Sequence, residues 1–233
     1  MGAQPATVLV TGAAGHLGRA VAAAFAQQGS RLVLMDRTAD ALQRTCGHLP
    51  EALLLPVDLL DAEQVRHGVD QARTRFGRID ALCHLAGGFR MGEAVHETSA
   101  ATWDFLMDLN ARSLVHVARA LVPLLIADGG GRIVTVGAAA AARGAAQMGA
   151  YAASKSALIR LTEALSAELK DRHINVNCVL PSIIDTPDNR AAMPDADASR
   201  WVAPDALAAV IVFLCSDAAR ALHGAAIPVT GRV

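Results

Sequence analysis

The sequence is poor in the features that mark metal, disulfide and nucleic-acid proteins. Its four cysteines, Cys46, Cys83, Cys178 and Cys215, are widely spaced with no C-x-x-C pair. Three of them sit in apolar stretches where a thiol acts as a small hydrophobe, so neither a disulfide framework nor a structural zinc is expected. The eight histidines form no HExxH or other ligand spacing, and no metal site is expected. A net charge of −1 with scattered arginines leaves no electrostatic footprint for nucleic acid or an anionic membrane. Apolar runs such as residues 121–127 fall short of the roughly 20 residues a bilayer span needs. The N-terminus lacks the basic, apolar, small-residue order of a signal peptide, so a cytoplasmic protein is expected. No Pro/Ser-rich linker or charge block divides the chain, which predicts one domain over residues 1–233. One local absence concerns chemistry: no serine or threonine lies between Val136 and Tyr151.

What is present alternates. Short apolar runs rich in β-branched residues occur at 6–11, 31–36, 52–58, 79–86, 132–136, 174–180 and 225–229. Helical periodicity fills the stretch up to Gly29 and residues 62–76, 102–127, 150–170 and 204–214. Continuous apolar strands separated by crossover-length helices predict an α/β fold: a doubly wound Rossmann sheet of about seven parallel strands, with helices on both faces. In such a sheet ligands gather at the carboxyl ends of the strands.

The first strand ends in Thr11-Gly12-Ala13-Ala14-Gly15-His16-Leu17-Gly18. Glycines between a strand and a helix permit a tight turn and bring backbone N–H groups close to a pyrophosphate, so a dinucleotide is the expected ligand. The second strand ends in Asp36, about 20 residues beyond the turn, where a carboxylate suits an adenosine ribose. It would repel a 2′-phosphate by about 1 kcal/mol at 4 Å in water and about 4 at an effective dielectric of 20. NAD(H) is therefore favoured, while Arg37, which can pair with a phosphate, keeps NADP(H) open. Asp58, followed by Leu59, reads either as an adenine contact or as a helix N-cap. Ala86-Gly87-Gly88 ends the fourth strand with close backbone access.

The chain's one tyrosine, Tyr151, precedes Lys155 by one helical turn. A phenol of pKa about 10 is protonated at neutral pH, and an ammonium at i+4 is expected to lower it and make Tyr151 a general acid or base.

Taken together, the TG-x-x-G-x-x-G turn, Asp36, Asp58, Ala86-Gly87, Asn110, Tyr151-x-x-x-Lys155 and residues 181–186 resemble the short-chain dehydrogenase/reductase family over essentially the whole chain. The resemblance implies that Tyr151 is the acid/base and that Lys155 binds the nicotinamide ribose and tunes the tyrosine. It also implies that Asn110 supports a proton relay and that Pro181, Ile183 and Thr186 lie at the carboxamide. Three departures stand out. His84-Leu85 replaces a frequent Asn-Asn, and His84 reads as a packed strand residue. Ser182 replaces a glycine. Ala138 stands where the family places its substrate-orienting serine, with Gln147 the nearest substitute. Loss of one such donor typically costs roughly 10²–10³ in rate. The serine-free segment is similar to dihydropteridine reductase and its bacterial relatives, which implies a substrate whose conjugated ring or quinonoid system carries the developing charge itself.

Residues 182–203 form the expected substrate loop or lid, in which Asp185, Asn189, Arg190 and Trp201 read either as substrate contacts or as turn residues. Arg90 and Met91 would form an opposite wall. Small residues on the helices around Asn110 and Tyr151 suit either subunit contacts or burial on the sheet; family resemblance implies a homodimer or homotetramer. The expected activity is hydride transfer between NAD(H) and a small conjugated, quinonoid or carbonyl substrate. The alternatives are a 3-oxoacyl or ketone reductase and, in another class, a nucleotide-binding sensor or scaffold.

Overall fold

The computed structural model describes residues 6–233. Strands β1 (Thr7–Thr11), β2 (Arg31–Asp36), β3 (Leu53–Pro56), β4 (Ala81–His84), β5 (Gly131–Val136), β6 (Ile174–Pro181) and β7 (Ala226–Val229) build one sheet in the order β3-β2-β1-β4-β5-β6-β7. Every pairing is parallel. The chain leaves the sheet's centre in both directions, reversing between β1 and β4, the switch point at which sheets of this kind form their ligand cleft.

Helices cover both faces. Beside α1 (His16–Gln27) and α3 (Ala62–Phe76) run α4 (Ala100–Met107), α5 (Ser113–Ala127), α6 (Gly149–Leu169) and α8 (Pro204–Leu214). One core gathers Val8, Val10, Leu34, Cys83 and Val134 under α1 and α8. The other gathers Leu9, Val33, Leu82 and Ile133 under α3 and α5. Alternate residues of each strand therefore feed opposite cores, which is why the strands read as unbroken apolar runs.

Two short helices escape the periodicity: α2 (Ala39–Cys46), capped by Thr38, and α7 (Pro187–Ala192), capped by Thr186. Each is only two turns or less, too short to show a helical repeat. The expected continuous helix 102–127 starts earlier, at Ala100 with Ser99 as its cap, and is interrupted by a π-helical turn over Asp108–Arg112. From Ala100 to Ala127 the run is long and apolar enough to cross a membrane by length and composition, contrary to the expectation from shorter windows. Here its buried residues Leu114, Val117, Leu121 and Leu125 pack inside the fold.

Candidate active site

The glycine turn is held from three sides. Gly12 adopts φ +67°, and a Cβ there would lie 2.9 Å from the Ala86 nitrogen, so the β1 and β4 turns touch backbone to backbone. A Cβ on Gly18 would fall 2.2 Å from the Gly12 carbonyl oxygen. Helix α1 begins after Gly15 with no side-chain cap, which leaves its first-turn N–H groups for an anion. The Asp36 carboxylate accepts from the Ala14 and Arg37 backbone nitrogens at 2.9 and 2.7 Å, so the residue that would meet a ribose also fixes the turn. Arg37 is exposed. These glycines and this uncapped helix fit a dinucleotide. Of the next pair, Leu59 is buried and its carbonyl accepts from His116 Nδ1 at 2.9 Å. Asp58 accepts from Leu60 N, while the N-cap of α3 is Asp61, so the capping alternative for Asp58 falls away.

At the head of β4 a buried chain of hydrogen bonds replaces the expected pair of asparagines. The Ser113 hydroxyl donates to the Leu109 carbonyl and so accepts from His84 Nε2 at 3.1 Å. Nδ1 of His84 then accepts from the Thr11 hydroxyl at 3.0 Å, and Thr11 Oγ1 accepts from Ala86 N at 3.4 Å. Burial, assisted by the Lys155 charge, pushes the imidazole down to about 3, so His84 is neutral and structural.

The π turn aims Asn110, which is completely buried, at the β4 loop. Its Oδ1 accepts from Gly88 N at 2.8 Å, and its Nδ2 donates to Gly88 O and to Ser154 Oγ at 3.0 and 2.9 Å. Ser154 donates in turn to the Tyr151 carbonyl. Asn110 thus ties the end of β4 to the start of α6. Sequence reasoning passed over Ser154, although its place beside Lys155 in the Tyr-x-x-Ser-Lys stretch was a signal for it.

Lys155 is buried between these elements, its Nζ donating to Val136 O at 2.8 Å. A Cβ on Gly87 would come within 2.9 Å of Asn110 Oδ1 and 3.0 Å of that Nζ, so glycine lets both side chains come close to the β4 loop. Burial lowers the ammonium to about 8, with the Cys178 thiol acting weakly the other way. Tyr151 lies one turn back, its ring edge-to-face against Phe89 at 4.8 Å between centroids. Its hydroxyl has no hydrogen-bond partner among the described residues. The expected depression of its pKa is not found: burial pushes the phenol up to about 12, while Lys155 Nζ is engaged with Val136.

Around the tyrosine, Ala138 is buried and extended, at the entry to a 3₁₀ turn over Ala139–Ala142. Gln147 is exposed at φ +60°, and its carbonyl accepts from Gly92 N, which joins the 140s loop to the loop carrying Phe89, Met91 and Val95. Those three apolar side chains are all exposed. Arg90 stacks on Phe105 at 3.8 Å.

In the 182–203 segment Thr186 caps α7, Ile183 O accepts from Val202 N, and Pro181 closes β6 beside Val229. The four residues that sequence left open between substrate contact and turn all make contacts within the fold. Asn189 donates to Ile184 O, and Trp201 is buried. Asp185 and Arg190 pair with each other at 2.6 and 2.8 Å. Asp188 reaches to 3.8 Å from His16 at the head of α1, so this segment sits over the nucleotide turn.

Comparison with known proteins agrees with this geometry. Residues 12–231 match the model of the family described as Enoyl-(Acyl carrier protein) reductase. The chain is similar to D-threitol dehydrogenase of Mycolicibacterium smegmatis, 33% identical over 236 residues, covering 96% of this chain and 90% of that one. Among solved structures it superposes on carveol dehydrogenase from Mycobacterium avium in complex with NAD (TM-score 0.90, 26% identity, 99% of this chain and 98% of that one). It also superposes on L-sorbose reductase from Gluconobacter frateurii complexed with NADPH and L-sorbose (TM-score 0.88, 29% identity, 99% and 97%). Relatives of this fold thus hold either nicotinamide dinucleotide. The chain belongs to the short-chain dehydrogenase/reductase family and is an NAD(P)-dependent oxidoreductase.

Proposed function

We propose that this protein transfers hydride between NAD(H) and a small conjugated, quinonoid or carbonyl substrate, with Tyr151 exchanging the proton. The observation that carries this reading is a Tyr151 hydroxyl without a hydrogen-bond partner among the described residues, together with a buried Ala138 at the position where the family resemblance places a substrate-orienting hydroxyl. When bound, the nicotinamide dinucleotide supplies or accepts the hydride. Gly12, Gly15, His16, Leu17 and Gly18 would hold its pyrophosphate, and Asp36 its adenosine ribose, which favours NAD(H). Asp58 and Leu59 would lie at the adenine, Ala86, Gly87 and Gly88 along the ribose, and Pro181, Ile183 and Thr186 at the carboxamide. Lys155 would bind the nicotinamide ribose and counter the burial of the tyrosine once its Nζ leaves Val136 O.

A phenol held protonated by burial is suited to donate from Oη in the reductive direction. Without a hydroxyl at position 138, the negative charge developing on the substrate must be spread by the substrate itself, which favours a conjugated acceptor. Residues 182–203 would act as the lid. Family membership favours assembly into a homo-oligomer.

Tyr151→Phe should lower turnover by roughly 10²–10⁴ while NADH binding, followed by fluorescence titration, stays unchanged; full retained activity would overturn the assignment. Stopped-flow oxidation of NADH by quinonoid dihydropterin, quinones and ketones separates the substrate classes. Ala138→Ser should raise ketone reduction alone, and NADH binding without oxidation across the panel would support the sensor reading instead.

A further inference from the structure

A second cavity, of about 780 Å³, opens at the amino end of the sheet, across the molecule from the glycine turn. Val8, Ala81 and Val212 line it, and so does Cys215 at the end of α8. Cys83 lies two residues beyond Ala81 on β4 and therefore on the same face of the sheet. The Cys83 and Cys215 sulfurs are 3.9 Å apart. Cys83 is fully buried, whereas Cys215 is partly exposed. The wall of the cavity is cationic. Arg31, Arg78 and Arg132 face Asp80 and Asp217, and Asp80 is already engaged by Arg78 and Thr7 N, Asp217 by Arg132. Arg31 has no side-chain partner among the described residues.

We propose that Cys215 is a thiol-modification site that takes small anionic disulfides from this cavity, with Cys83 as the thiol that resolves the adduct into an internal bridge. In the first step Cys215 gives up its proton and its sulfur attacks one sulfur of the small disulfide. The small disulfide bond breaks, and one small thiol leaves carrying a proton. In the second step Cys83 loses its proton and attacks the Cys215 sulfur; the mixed disulfide breaks and the second small thiol leaves. Two protein thiols are oxidised by two electrons, and one disulfide is reduced to two thiols.

The order of events follows from access and acidity. The hydrogen bond with Cys215, and then burial, push the Cys83 thiol well above its ordinary value, so Cys83 holds its proton while Cys215 meets the reagent. Closing the bridge requires the sulfurs to approach from 3.9 Å to about 2.0 Å. Cys215 is the C-cap of α8, and the end of a helix is where it frays most readily. The other two cysteines serve as internal controls. Cys46 and Cys178 are buried, donate to the Ala13 and Val179 carbonyls, and do not line this cavity.

The experiment exposes the full chain, natively folded, to oxidised glutathione or to the cationic disulfide cystamine at equal concentration. Intact mass and non-reducing peptide mapping read the products. With glutathione, wild type is expected to lose two hydrogens and yield a linked Cys83–Cys215 peptide. Cys83→Ser should keep one glutathionyl group on Cys215, and Cys215→Ser should stay unmodified. Glutathione should react several-fold faster than cystamine, and Arg31→Gln should narrow that gap. An unchanged wild-type mass, equal modification of Cys215→Ser, or cystamine reacting as fast as glutathione would overturn the proposal. Because wild type and Cys215→Ser alone decide the bridge, failure of the core variant to fold does not remove the test.

Discussion

The two sides of the cleft are built in opposite ways. On the nucleotide side the polar side chains are engaged within the fold: Asp36 by Ala14 N and Arg37 N, Asn110 by both polar atoms of Gly88 and by Ser154, Thr11 by His84. On the substrate side the tyrosine hydroxyl has no partner among the described residues, Phe89 lies against its ring, and Phe89, Met91 and Val95 are exposed. A rigid, satisfied half can hold one invariant ligand. An open apolar half leaves discrimination to the shape and electronics of the other.

If that contrast holds, damage to the satisfied half should cost most. Asn110→Leu leaves Gly88 N and O without their partner, at about 1–3 kcal/mol for each orphaned group, and should lower the denaturant midpoint and loosen Tyr151 together. An unchanged midpoint would mean that the bond network contributes little. Asp36→Ala comes next. It should reduce kcat/KM for NADH about tenfold, about 1.4 kcal/mol, and raise that for NADPH; an unchanged cofactor ratio would remove Asp36 from the ribose. The open half should respond more gently. Phe89→Ala removes an edge-to-face contact of about 0.5–1.5 kcal/mol and is expected to raise KM for ring-bearing substrates several-fold with NADH binding intact.

The smallest effect at neutral pH belongs to His84, and it grows in acid. Its folded-state pKa, near 3, lies below the ordinary 6.5, so between those values the unfolded chain binds more protons. Stability from this group is complete above about pH 6.5 and is lost as pH falls towards 3. His84→Asn should flatten that part of the stability profile, measured as denaturant midpoints at pH 7 and pH 5. An identical slope would show that the imidazole does not titrate on unfolding as its burial requires.

The strands, the glycine turn and the Tyr151–Lys155 spacing were legible because each is local: a short apolar run, a turn that tolerates no Cβ, one helical turn between two side chains. The helices α2 and α7 were not, since their caps and tertiary contacts rather than a repeat define them. The same holds for Trp201, which the sequence left open between a substrate contact and a turn residue and whose side chain the fold buries.

The sequence by itself determined the α/β class and marked the glycine turn and the Tyr151–Lys155 spacing, because periodicity and glycine placement act within a few residues of chain. Only the tertiary structure decided what surrounds those residues. Burial raises Tyr151 where its neighbour in sequence was expected to lower it, and a π turn points Asn110 at Gly88. It also brings Cys83 beside Cys215 across 132 residues of chain. Desolvation and long-range packing depend on what surrounds a group from every direction, and a linear pattern does not record that.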